Sequence, residues 1–296
     1  MKQRRLLIFG ILTFLIFSLA AFPVLAKISD EEKNRNIDLI IEKSGIRAQL
    51  AGLPEMVKQQ ALGAAGANNL RLAEILKENF ALDDLLAEVK LVFLREFNES
   101  HTKSIVKFLE SDLAARMVRY ESESMGPGFA DKRNDFDPGR YSDKRRQIVT
   151  KFFEAVKAQN FYYVLQSSIM ESMLQAINKL LPEEAQISGA QIAKIKQQIK
   201  EQVFSAQAKE VMLADYFLIY DRATDAEMEE YTKFNASRAG RWMNQCIEKG
   251  IVNGMQKYAE KIVVAVVGFA QSIRDDAEAA EEEELENSAE NVQNSF

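Results

Sequence analysis

The sequence predicts an all-α protein, a helical bundle of two related halves with a disordered acidic C-terminal tail. Three observations carry this. Apolar residues recur at spacings of three and four, strand-like alternation is scarce, and only 5 prolines occur in 296 residues. Residues 91–117 and 217–243 also match at a constant offset of 126. Lys107 falls on Lys233, Phe108 on Phe234, Ser111 on Ser237 and Met117 on Met243. Self-similarity at a fixed offset is the mark of a repeated unit.

Three bases (Lys2, Arg4, Arg5) and the apolar run Leu6–Leu25 end on Val24-Leu25-Ala26. This is the pattern of a secretory signal cleaved after Ala26, which predicts an exported, periplasmic protein. An uncleaved inner-membrane anchor is the alternative, because the run is about long enough to span a bilayer. Contact with the membrane is otherwise not expected. Ile262–Ala270 is nine apolar residues, a buried-helix length. The mature chain divides into an N-terminal repeat (27–123), a linker loop (124–141), a C-terminal helical domain (142–274) and the tail (275–296).

Ser29-Asp-Glu-Glu32 fits a capping box, opening a helix towards Leu50. Gly52-Leu-Pro54 breaks it, a second helix follows to about Leu62, and Gly63–Asn69 reads as a turn before a helix from Leu70 to Phe80. Leu82, Leu85, Leu86, Val89, Val92 and Phe93 make a one-sided stripe. Asn98 caps the next helix, expected to run to about Ser122. Met125-Gly-Pro-Gly128 opens the linker. Asp131, Asn134, Asp135, Asp137 and Gly139 there invite comparison with a calcium loop, but the glutamate at position twelve is missing and Pro138 interrupts the spacing. The linker reading is preferred, and no metal or other cofactor is expected.

The second half opens with a helix expected over Ser142–Leu181, rich in aromatic residues at Phe152, Phe153, Phe161, Tyr162 and Tyr163. Ser188 with Gln191, and Thr224 with Glu227, have capping-box spacing. A last helix over Ile251–Arg274 presents Ile251, Met255, Tyr258, Ile262, Val266, Phe269 and Ile273 at packing intervals. The tail holds nine acids and no Lys or Arg, so it reads as a solvated, solubilising segment.

Chemistry is hard to find. The one histidine, His101, falls on Glu227 at the repeat offset. Ten residues of helix place it about 15 Å along the axis from Ser111, too far for a nucleophile and its base. One histidine and one cysteine supply no zinc set, and Gly63-Ala-Ala-Gly66 lacks a phosphate-binding lysine. Cys246 lies in a helical pattern and reads as a small buried residue, with an intermolecular disulfide as the minor alternative. Net charge goes from −6 to −9 when the leader is removed, and the body without the tail is neutral. Nucleic-acid binding is therefore not expected.

The repeated positions Phe108, Ser111, Ala114 and Met117, with Phe234, Ser237, Gly240 and Met243, are expected to form a packing row. In it, small residues let another helix approach beside the ring. Arg241 and Trp242 are candidates for contact with an anion or partner, though structural pairing is preferred for Arg116 and Arg241. An acid-rich helix start followed by Phe234-x-x-Ser237-x-x-Gly240-Arg241 resembles the exported bacterial family called domain of unknown function 2059, best over about residues 205–265. The segment 80–122 is a weaker copy. The resemblance implies a helical envelope protein and brings no catalytic residues.

The leading expectation for function is a non-catalytic interaction or structural module with an unknown protein partner. A carrier of a lipid or other apolar ligand is the alternative, its cavity lined by 152–163 and 251–273. An enzyme without a recognisable site comes third. Deleting residues 275–296 should leave the melting temperature nearly unchanged; a loss of many degrees would show that the tail is docked.

Overall fold

In a computed structural model, the described residues are 28–53, 74, 77–124, 128–179, 181–258, 261, 264, 265 and 268, and among them every regular element is helical. The expectations for 1–26, for most of 54–73, for Ile262, Val266, Phe269 and Ile273, and for the tail lie outside the described residues. The chain forms two units, Met1–Lys33 and Asn34–Phe296. In the first, the Ser29 hydroxyl accepts from the Glu32 amide at 3.1 Å and starts helix α1 (Asp30–Lys43) as its cap.

Within the second unit come α2 (Ile46–Leu50), α3 (Leu82–Arg95), α4 (Glu99–Leu109), α5 (Asp112–Glu123) and α6 (Phe129–Asn134). A 3-10 turn at Pro138–Arg140 leads to α7 (Asp143–Ala155), α8 (Ala158–Asn178), α9 (Gly189–Val203), α10 (Ala206–Ile219) and α11 (Asp225–Asn235). The helix over 238–258 is α12.

Several helices are shorter than the sequence predicts, each for a local reason. The helix expected from Ser29 to Leu50 breaks at Gly45, whose φ of 72° is left-handed. Its hydrogens face Val118, where a Cβ would lie 2.6 Å from a methyl group. The helix expected over Ser142–Leu181 breaks at Lys157, also left-handed with φ 53°. The expected linker loop carries α6 and the 3-10 turn. It is tied to α10 by Arg133 on Asp215, and to Asp221, two residues beyond that helix, by Arg140. Asp137 in the suggested calcium loop caps Gly139 instead, and among the described residues no cluster of acids, histidine and cysteine could hold a metal.

The most informative break lies inside the repeated motif. The expected helix over Asn98–Ser122 is two helices, and the one opened by Thr224 also ends early, at Asn235. Ser111 and Ser237 sit at the breaks, where their amides bond to the carbonyls of Phe108 and Phe234 at 2.9 Å. Their hydroxyls then accept from the amides of Ala114 and Gly240 at 3.2 and 3.0 Å. The serine at this position is an N-cap, not a small residue in a packing row. Gly240 likewise relieves a local fold-back. A Cβ there would stand 2.3 Å from the Phe234 carbonyl oxygen, on its own preceding helix.

Close helix approach happens elsewhere, through Gly250 and Gly254 on α12. A Cβ at 250 would fall 2.4 Å from the Val89 Cα, and one at 254 would fall 2.3 Å from a Leu85 methyl. Two glycines one helical turn apart thus bring α12 against the backbone of α3. Around this crossing lies the main core, with Ile37, Ile40, Val89, Val92, Phe93, Ile105, Ile169, Cys246, Ile251 and Met255 almost fully buried. A smaller cluster, centred on Met117, Phe152, Tyr220 and Met228, sits between α5, α7 and the α10–α11 corner.

Contacts between the two motif segments come in exchanged pairs. The rings of Phe108 and Phe234 stack at 3.7 Å, 8° from parallel. Arg116 bonds Glu227 at 2.9 Å, and the residues at the exchanged positions, Trp242 and His101, have ring centroids 5.6 Å apart. Arg222 pairs with Glu123; at the exchanged positions Lys249 pairs with Glu96 at 2.8 Å.

Gly250→Ala should lower stability by about 1–3 kcal/mol by forcing α3 and α12 apart. Gly189→Ala, at a helix start with open space around it, should be neutral or slightly stabilising. Paired thermal melts check both.

Candidate functional site

A cavity of about 790 Å³ opens between α2, α5, α7, α8, α10, α11 and α12. It falls within the range of small-molecule sites. Its apolar wall is made by Ile46, Leu50 and Leu53 from the α2 region, Phe152, Phe161 and Leu165 from α7 and α8, and Met243 and Ile247 from α12. Tyr162 and Val211, both exposed to solvent, stand at its edge. The expected lining by 152–163 is present. Of the lining expected from 251–273, the described residues are not on the wall and the rest lie outside the described residues; α12 contributes Met243, Asn244, Ile247 and Glu248.

Glu121 is the chemical centre of this wall. The stripe Leu113, Met117, Tyr120 faces inward on α5, and a residue at 121 shares that face. A buried carboxylate needs hydrogen bonds, and three elements supply them. The phenols of Tyr220 and Tyr231 donate to its Oε1 at 2.5 and 2.8 Å, and Gln49 Nε2 donates to Oε2 at 2.8 Å. The backbone carbonyl of Tyr220 accepts from the buried Arg145 guanidinium at 2.5 Å, and Arg145 also bonds Asp225 at 3.2 Å. Rings of Phe152, Tyr216, Tyr220 and Tyr231 pack with centroids 5.0–6.2 Å apart.

Burial pushes the Glu121 carboxyl above its ordinary range, against the opposing pull of its hydrogen bonds from Tyr220, Tyr231 and Gln49. Burial likewise raises the phenols of Tyr216, Tyr220 and Tyr231, with the nearby Glu121 charge adding to it. The tyrosines therefore stay protonated and act as donors. At the rim Asp215 is raised by burial, while Arg133 holds it in a two-pronged pair at 2.6 and 2.7 Å. Asn160 reaches Glu248 at 3.4 Å.

The residues singled out from sequence lie mostly beside this cavity. Phe108 stacks on Phe234 and lies 6.0 Å from Tyr231, while Met117 is buried behind the aromatic cluster. Of that set only Met243 is on the wall. Ala114, at 1% exposure, belongs to the main core. Arg241 is exposed, and one nitrogen of its guanidinium bonds the Ala236 carbonyl at the end of α11. Trp242 packs edge-on against Phe93 at 5.3 Å. Cys246 is buried, and its thiol is pushed up to about 12 mainly by that burial. A buried, protonated thiol suits packing and not reactivity.

Gln49, Glu121, Tyr220 and Tyr231 were missed by sequence reasoning. One signal was available for Glu121, a carboxylate at a buried position of the stripe Leu113, Met117, Tyr120, Ser124. The partners come from separations of 72 to 110 residues, which spacing cannot reveal.

A carboxyl whose folded value lies above the ordinary 4.5 contributes stability that is complete below 4.5 and is lost as pH rises through the raised value. Glutamine at 121 does not ionise. The melting temperature of wild type relative to Glu121→Gln should therefore fall between pH 4.5 and pH 8, and a constant gap would show that Glu121 is charged throughout.

No protein-family model, no curated protein and no solved structure matches the chain.

Proposed function

We propose that this protein is an exported, non-catalytic binding protein that carries an apolar ligand in the cavity beneath α8 and α10. The supporting observation is the cavity itself. A module that only docks a partner would favour a filled core and an exposed patch. Here a space of about 790 Å³ is kept beside a well-packed core, with aliphatic and aromatic walls and a few convergent polar groups. This moves the carrier ahead of the interaction module expected from sequence. Export is supported by the leader pattern ending at Ala26. The family reading rests on Phe234, Ser237, Gly240 and Arg241. The 126-residue offset and the exchanged contacts support an origin of both motif segments in one duplicated unit.

Groups from both motif segments do converge at Glu121, as an acid–base enzyme would need. Binding is nevertheless favoured. Glu121's hydrogen-bond partners are two tyrosines held protonated and one amide, and the other carboxylates on the wall, Asp215 and Glu248, bond Arg133 and Asn160 and not Glu121 or its tyrosines.

Native mass spectrometry of the protein from its own envelope should show retained apolar mass, and the neutral dye N-phenyl-1-naphthylamine should bind with enhanced fluorescence. Ala208→Trp, which fills the cavity from α10, should weaken dye binding about tenfold or more with little change in melting temperature. A clean unliganded mass together with no dye binding would remove the carrier reading.

A further inference from the structure

We infer that the cavity's ligand is an apolar amine, a hydrocarbon body bearing a protonated nitrogen that seats against Glu121. The inference rests on the binding reading above and adds the chemical class. Its first support is the charge on the wall. Four charged side chains line the cavity: Glu121, Arg133, Asp215 and Glu248. Arg133 is committed to Asp215 through both oxygens. The balance that a ligand meets is two carboxylates.

A second support is the valence left on Glu121. A carboxylate offers about four acceptor positions. Oε1 takes two phenols and Oε2 takes one amide, and all three partners are donors. The position remaining on Oε2 calls for another donor. A ligand carboxylate or phosphate would instead set two anions together at low dielectric. The nearest guanidinium inward, Arg145, is not on the wall and is engaged by the Tyr220 carbonyl and Asp225.

The aromatic residues give a third support. Phe152, Tyr216, Tyr231 and Phe161 line the same space as Glu121, and aromatic faces attract a desolvated cation. A buried carboxyl raised by desolvation gains most from a cation, because the ligand then supplies the compensation that water cannot. Aliphatic residues such as Ile46, Leu50 and Leu165 farther along the wall receive the hydrocarbon body.

The test is displacement of N-phenyl-1-naphthylamine from the full chain at pH 7 by dodecylamine, dodecanol and dodecanoate, three heads on one chain length. Dodecylamine should bind about tenfold or more tighter than dodecanol, as expected for one charge-assisted hydrogen bond, with dodecanoate weakest. Glu121→Gln should reduce dodecylamine to the affinity that the same variant has for dodecanol. The wild-type series decides the question even if that variant does not fold. Equal affinities for all three would leave the apolar-carrier reading standing and overturn the amine. So would tightest binding of dodecanoate. An amine preference that survives Glu121→Gln would overturn the seat at Glu121, and displacement by none of the three would overturn both readings.

Discussion

The crossing of α3 and α12 is the constraint from which the remaining arrangement follows. Gly250 and Gly254 lie over Val89 and Leu85 at distances that leave no room for a Cβ. That approach aligns the inward faces of both helices, so Val89, Val92 and Phe93 meet Cys246, Ile251 and Met255 in one core. Dispersion and burial reward the crossing only if the backbones come this close. Once they do, α12 is held at its middle, and its first turns carry Ala239, Met243, Cys246 and Ile247 into the same core.

The same turns also wall the cavity. Met243, Asn244, Ile247 and Glu248 precede the glycines by one to three turns and face the space bounded by α2, α8 and α10. Beside the cavity the Phe108–Phe234 stack fixes the α4–α5 corner against the α11–α12 corner. The exchanged ion pairs, Arg222 with Glu123 and Lys249 with Glu96, clamp the ends of the same arrangement. These pairs are exposed and each contributes little by itself; the stacked rings and the serine caps define the corner. Glu121 then lies where α5 meets α10 and α11, buried because its helix has no other face to turn inward.

Burying that carboxylate is costly unless it is satisfied, and the fold meets the cost with three donors from three elements. The same three donors take three of its roughly four acceptor positions. Architecture and binding chemistry thus share one residue, which is why the polar centre of an otherwise apolar space sits at a junction of helices.

Helix content, the caps at Ser29, Asn98, Ser188 and Thr224, and the stripe on α3 were legible in the sequence, because each depends on residues within one or two turns. The repeated motif was legible as a motif and misread as a packing row. A serine between two helical stretches has the same local pattern whether it packs inside one helix or caps the second of two. The breaks at Gly45 and Lys157 were hidden for a related reason, since apolar periodicity carries across a short kink unchanged.

By itself, then, the sequence determined the all-α class, the local caps and the positions at which two segments match. Only the tertiary structure decided which glycines admit a neighbouring helix, where the cavity opens, and that Glu121, Tyr220, Tyr231 and Gln49 share one site. Those outcomes depend on contacts between residues 72 to 169 positions apart. Helical periodicity reports which face of a helix is apolar, but not which other helix that face will meet.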